Sequence, residues 1–347
     1  MKVSQKRGAL CDKRESAQGA GKKEEHQVKK SLLGILIAAF AAILFVVSYG
    51  GTKEVKADGE HVHCICGGTT EETAPAHATA AYGHDSHDFT QTWEAWSSET
   101  SLPTGTGGQT SYYYLTTSVK LSGQVNITAG AIVNLCLNGH TIGVADATSG
   151  ARLLIEQGNS GSSAKQLVIT NCGDKADGKI IGKYNGTQGG MLWITNNAGN
   201  AMTLFNVTLD GTNSVSTKIG GAVLYVDANG TFTAYDTDIL AGVASDSAGS
   251  TYGGGAICLR GGLAQLYGCS ITGNTTASLN GGNLVASGNA SRAVLVDTTI
   301  ADGLAKIGGN VYVSGGAVTM SGDSLISGGK AQVVSDGDIS LIKYSII

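Results

Sequence analysis

Proline is nearly missing from this chain, with 2 residues in 347, and charged residues make up only 14%. Aromatics are 6%. Each shortage removes a class of protein. Disordered chains combine low hydrophobicity with high net charge, and a formal charge of -4 over this length does not supply it. Helical proteins draw on Glu, Lys, Leu and Arg, which thin out beyond residue 100. No histidine follows His140, and Arg260 and Arg292 are the only arginines after Arg152. What fills the chain is glycine, 52 residues of it, with Thr, Ser, Asn, Ala and Val. Small turn formers interleaved with β-branched residues suit many short strands joined by tight turns. The missing proline agrees, because proline cannot donate to a hydrogen-bond ladder.

Charge is split along the chain. Residues 1–57 hold 11 Lys/Arg against 5 Asp/Glu, and residues 58–347 hold 12 against 22. The acidic remainder lacks the clustered cations that nucleic-acid phosphates demand, so no nucleic-acid partner is expected. Its modest negative charge is what keeps a surface protein soluble. Between the basic start and the acidic remainder lies Ser31 to Ser48, an uncharged apolar run preceded by Lys29 and Lys30. Its length stands at the border between a signal h-region and a spanning helix. Val55-Lys56-Ala57 places small residues where a signal peptidase reads them, so cleavage would leave Asp58 first. An uncleaved anchor, with the basic tail inside, is the alternative. Either way residues 58–347 are expected outside the cytoplasm, extracellular or at the cell surface, with 31–48 the only membrane contact.

Internal repetition organises the rest. Glycine pairs open five segments, at Gly189-Gly190, Gly220-Gly221, Gly254-Gly255, Gly281-Gly282 and Gly308-Gly309, spaced by 31, 34, 27 and 27 residues. Each pair leads into a short apolar run, a polar turn, a second strand (Thr231 to Ile239 in one segment) and a glycine or asparagine turn. One such unit has too few apolar residues to make a core. Stacked units make a continuous apolar column, each strand pairing above and below. The expected fold is all-β, a right-handed parallel β-helix (solenoid) over 119–347. Residues 1–57 precede it as signal or anchor helix, and 58–118 as a short His/Cys-rich segment and cap. A β-sandwich would not repeat its anchors in this way. The apolar, uncapped ending Leu341 to Ile347 reads as a truncated array.

Two less regular units come first. The run Leu135-Cys136-Leu137-Asn138-Gly139-His140-Thr141-Ile142 resembles the opening coil of pectin-lyase-like right-handed β-helix domains. The preceding His61-Val62-His63-Cys64-Ile65-Cys66-Gly67-Gly68 and Trp93-Glu94-Ala95-Trp96 resemble surface proteins of gut Firmicutes. The resemblance spans about 58–347 and implies fold and location. It implies little about activity, because this fold hosts lyases, hydrolases, adhesins and stalks.

Two constellations carry chemistry. His61, His63, Cys64, Cys66, His77, His84 and His87 bring five of the seven histidines into one short segment. Imidazole and thiolate suit zinc, and a small coreless module would need such a staple. A polar linker with exposed histidines, or a disulfide through Cys64 or Cys66, remains open. Cys136, Cys172, Cys258 and Cys269 sit among apolar strand residues and read as small packing groups. Asp236-Thr237-Asp238 is the catalytic candidate: carboxylates two apart on a strand would project together as acid and base. The matching polygalacturonase pieces (a GHG and an RIK run) are missing, so a solvated or turn-capping role is the plainer reading. Trp93, Trp96 and Tyr112-Tyr113-Tyr114 would stack on sugars or cap the solenoid end. The function expected is a non-enzymatic adhesin, glycan-binding protein or stalk facing a polysaccharide or a host or neighbour-cell surface. A lyase or glycoside hydrolase acting on acidic polysaccharide is the alternative.

Overall fold

A computed structural model describes residues 63, 65–66, 91–145, 150–155, 163–172, 178–186, 189–217, 220–245, 253–332 and 339–342. The chain divides into two compact units, Met1–Ala57 and Asp58–Ile347, and every described residue belongs to the second. Among the described residues no helix is long and apolar enough to cross a membrane. The Ser31 to Ser48 run lies outside them.

The second unit is an all-β parallel solenoid. Its strands stack into four sheets of nine, eight, six and eight members, and every named strand pair is parallel. One coil visits all four. It runs Ala201–Phe205 in sheet 1, Thr208–Asp210 in sheet 2, Val215–Ser216 in sheet 3 and Leu224–Asp227 in sheet 4. The next coil repeats this as Thr231–Tyr235, Asp238–Leu240, Val243–Ala244 and Ile257–Arg260. The first coils skip sheet 3, so Val119–Leu121 passes directly to Val125–Asn126.

Two features refine the sequence reading. Sheet 1 already contains Glu94–Trp96, paired in parallel with Thr110–Leu115, which pairs in turn with Ile132–Cys136. Sheet 1 therefore extends to strands that precede residue 119. Trp96 and Tyr113 pack edge to face at 5.5 Å and lie against the core. Second, the long second strand of each repeat is two strands in different sheets. Thr231 to Ile239 breaks at Asp236, whose φ of 46° is left-handed. The same corner recurs at Asn206, Gly268, Asp297 and Gly322. Asn, Asp and Gly tolerate this conformation at least cost.

The core follows from period-two alternation. Thr231–Tyr235 has Phe232 and Ala234 fully buried while Thr231 and Thr233 are only half-buried. Sheet 2 contributes one column: Ile142, Ile180, Leu209, Ile239, Ile271 and Ile300 stand in register, all buried. Stacked parallel strands buried on their inner side favour such β-branched residues. At the start of sheet 4 the glycines form their own column. Gly189, Gly221, Gly254, Gly281 and Gly308 all have φ between 60° and 79°. A Cβ on Gly254 would meet the carbonyl oxygen of Ile257.

Near that corner three asparagines form a buried ladder. Asn274 donates from Nδ2 to Asn283 Oδ1 at 2.7 Å, and Asn283 donates to Asn310 Oδ1 at 2.6 Å. Asn310 Oδ1 also accepts from Gly303 N at 2.8 Å, and its Nδ2 donates to Ser327 O at 2.7 Å. All three are fully buried. The ladder satisfies backbone groups that the turns leave without strand partners.

Candidate functional site

The outer face of sheet 1 carries the densest chemistry. Residues pointing away from the core line up across coils as Tyr114, Cys136, Thr170, Phe205, Tyr235 and Tyr267. The aromatic half stacks: Phe205 on Tyr235 at 4.7 Å with planes 4° apart, and Tyr235 on Tyr267 at 4.8 Å. His63, Ile65 and Cys66 meet this column from outside. Ile65 and Cys66 pack on Phe205, Tyr235, Val168 and Tyr267, and Cys66 is buried. His63 is 5% exposed and stacks on Tyr114 at 4.7 Å, with Trp93 tilted against it at 5.3 Å.

That docking brings His63 to two thiols. His63 Nδ1 is 3.2 Å from Cys172 Sγ, and Cys172 Sγ is 2.8 Å from Cys136 Sγ. The ligand atoms of all three lie within 4.8 Å of one another, and all three side chains are buried. Asn138 N donates to Cys136 Sγ at 3.3 Å. Burial alone pushes the Cys136 thiol up. Hydrogen bonds from Cys172 and His63, the His63 charge and the Asn138 amide outweigh it and bring the thiol down to about 6. Thr170 Oγ1, opposite Cys136 in the ladder, is buried without a hydrogen-bond partner among the described residues.

Of the ligands expected from sequence, His63 and Cys66 are described. His61, Cys64, His77, His84 and His87 lie outside the described residues. Cys136 and Cys172, read from sequence as apolar packing groups, instead meet His63. Register was the missing signal: Cys136 pairs with Thr170, so Cys172 follows one corner later on the adjacent coil. Cys258 and Cys269 do pack as apolar groups, and burial pushes both thiols up to about 12.

Asp236 and Asp238, the catalytic candidates of the sequence, do not share one strand. Asp236 occupies the left-handed corner, and Asp238 begins the next strand, in sheet 2. Thr237, buried between them, donates its hydroxyl to Tyr235 O at 3.0 Å. Partial desolvation pushes the Asp238 carboxyl up from its usual range.

A groove of about 410 Å³ runs along the outer flank of sheet 2 at its N-terminal end. Lys120 and Lys183 line it with Ser118, Thr141 and Asn213, over a floor that includes Gly143. Lys120 is exposed and Lys183 half-buried. Among the described lining residues there is no carboxylate. Glycine at 143 leaves the strand without a side chain there, which opens the floor. Two cations beside hydroxyl and amide groups suit a polyhydroxylated anion. Lys179 of the same sheet stands two strands from Asp238, a spacing of about 10 Å.

No protein-family model, no curated protein and no solved structure matches the chain.

Proposed function

We propose that this chain is an exported β-helix of the pectin-lyase-like, right-handed type, acting at a cell surface as a non-enzymatic adhesin or stalk. Its ligand in this reading is an acidic polysaccharide on a host or neighbouring cell. The Leu135 to Ile142 run supports the type. Right-handedness follows from the strong chiral preference of parallel crossovers. The Ser31 to Ser48 run behind a basic start supports export.

The observation that carries the functional reading is the sheet 2 groove. It offers lysines, hydroxyls and an amide, and no carboxylate among the described lining residues. Glycoside hydrolysis needs two facing carboxyl groups about 5–9 Å apart across the scissile bond. Binding needs only complementary charge and hydrogen bonds. Asp236 lies at a backbone corner and leaves Asp238 without a facing acid on its own strand.

Isothermal titration of the full chain with oligogalacturonides tests this. The expected result is salt-sensitive binding that Lys120→Ala weakens about tenfold, the effect of one desolvated charge contact. Affinity unchanged by Lys120→Ala and Lys183→Ala together would refute the groove as the site.

A further inference from the structure

The groove does not involve the imidazole and thiols on the outer face of sheet 1, and the proposal about them stands apart from any glycan. We infer that His63, Cys136 and Cys172 form a zinc site that staples the stretch carrying His63, Ile65 and Cys66 onto the solenoid flank.

Geometry is the first argument. A tetrahedral zinc with Zn–S near 2.3 Å and Zn–N near 2.0–2.1 Å sets its ligand atoms about 3.6–3.8 Å apart. The three ligand atoms here already lie within 4.8 Å of one another. Cys172 Sγ sits 3.2 Å from His63 Nδ1 and 2.8 Å from Cys136 Sγ. Accommodating the ion means the two sulfurs part by about 1 Å, a small side-chain rotation. Two sulfurs at 2.8 Å are closer than neutral thiols rest, a contact that either a shared metal ion or a disulfide would relieve.

A Cys136–Cys172 disulfide is the rival occupant in an oxidising compartment. It would account for the sulfurs but not for His63. That imidazole comes from 109 residues away in sequence, is 5% exposed, and is held with Nδ1 toward Cys172 by Tyr114 and Trp93. A zinc ion takes all three side chains as ligands, and imidazole with thiolates is the donor set it prefers. The surroundings fit as well. Asn138 N already donates to Cys136 Sγ, as thiolate ligands usually require. The buried Thr170 hydroxyl, on the residue paired with Cys136 in the ladder, has no hydrogen-bond partner among the described residues. Binding releases the thiol protons to solvent, so uptake strengthens as pH rises.

The staple also has a structural purpose. Among the described residues of this stretch, Ile65 and Cys66 pack on the aromatic column. A metal clip adds to that packing against the chain entropy of the segment.

The test is zinc uptake by the full chain, reduced, stripped with chelator and dialysed against Zn²⁺. The readouts are metal content, the thiolate-to-metal charge-transfer band of the Co²⁺ form, and alkylation of individual cysteines located by mass spectrometry. The expected result is one equivalent bound through a Co²⁺–thiolate band. Cys136→Ser, Cys172→Ser and His63→Ala each weaken binding by at least about 100-fold, and Cys258→Ser does not. Zinc should also shield Cys136 and Cys172 from alkylation until a chelator is added. His63 lies outside the coils, so His63→Ala reads the site without the risk of unfolding a strand. Retention of one full equivalent in Cys136→Ser and Cys172→Ser, with loss only in Cys64→Ser or Cys66→Ser, would place the metal in the segment itself and overturn the assignment. A Cys136–Cys172 disulfide that, once reduced, leaves no zinc uptake would overturn it too.

Discussion

Replacing Asn283 with leucine should cost about 1–3 kcal/mol, and the figure follows from counting orphaned groups. Leucine and asparagine have the same number of side-chain heavy atoms with the same branching, so no cavity is expected. Asn283 Nδ2 donates to Ala301 O at 2.9 Å and to Asn310 Oδ1 at 2.6 Å. Its Oδ1 accepts from Asn274 N at 3.3 Å and Asn274 Nδ2 at 2.7 Å. Three of the four partners keep a second bond: Asn274 Nδ2 to Thr272 O, Asn310 Oδ1 from Gly303 N, and Ala301 O from Gly273 N. Asn274 N loses its partner. Each buried group left unpaired costs about 1–3 kcal/mol. Urea unfolding should show this as a lower midpoint at unchanged m. A solenoid is stabilised chiefly by neighbour contacts, so the loss should be local. Trp93, Trp96 and Trp193, the three tryptophans, all lie on the N-terminal side. Circular dichroism should therefore shift more than tryptophan fluorescence. Asn289→Ala, at an exposed turn, serves as the control and should change stability by less than about 0.5 kcal/mol. A cost below about 1 kcal/mol for Asn283→Leu would refute the ladder as a stabilising element.

Gly254→Ala should destabilise by at least about 2 kcal/mol, because φ is 79° and the new Cβ meets Ile257 O. Gly123→Ala, at an open position with nothing near its Cβ, should be close to neutral in the same melt. Asp238 has its carboxyl raised by desolvation, so the folded state holds that proton more tightly than the unfolded one. The stability it contributes is present at low pH and is lost as pH rises through the raised value. Asp238→Asn should therefore stabilise at pH 7, with the difference closing as the carboxyl protonates; destabilisation at pH 7 would contradict this. Cys258 and Cys269, both buried and pushed up to about 12, should resist iodoacetamide at pH 8 in the folded chain and react in denaturant.

The solenoid was legible in the sequence because its constraint is periodic. Glycine recurs wherever the sheet 4 corner needs a left-handed residue, and no other residue fits there as well. Even so, the pairs mislead by one position in one coil: the left-handed residue of Gly220-Gly221 is the second, while in the other four pairs it is the first. The sequence read Thr231 to Ile239 as one strand because its alternation runs straight through the corner. Asp236 looked like a strand carboxylate for the same reason, since a left-handed aspartate has no apolar signature. The Cys136–Cys172–His63 cluster was illegible for a different reason. Its members belong to two coils and a docked segment, and only the register between coils, with Cys136 opposite Thr170, brings them together. Local spacing around Cys64 and Cys66 pointed to a site within one segment and carried no information about partners on the flank.

The most direct test of the functional account is incubation of the full chain with polygalacturonate, following reducing ends and unsaturated products while measuring retention on the same polymer. The account predicts retention that falls with salt and with Lys120→Ala, and no product beyond the buffer control. Product formation that disappears in Asp238→Asn would contradict it and make the outer flank of sheet 2 a catalytic surface.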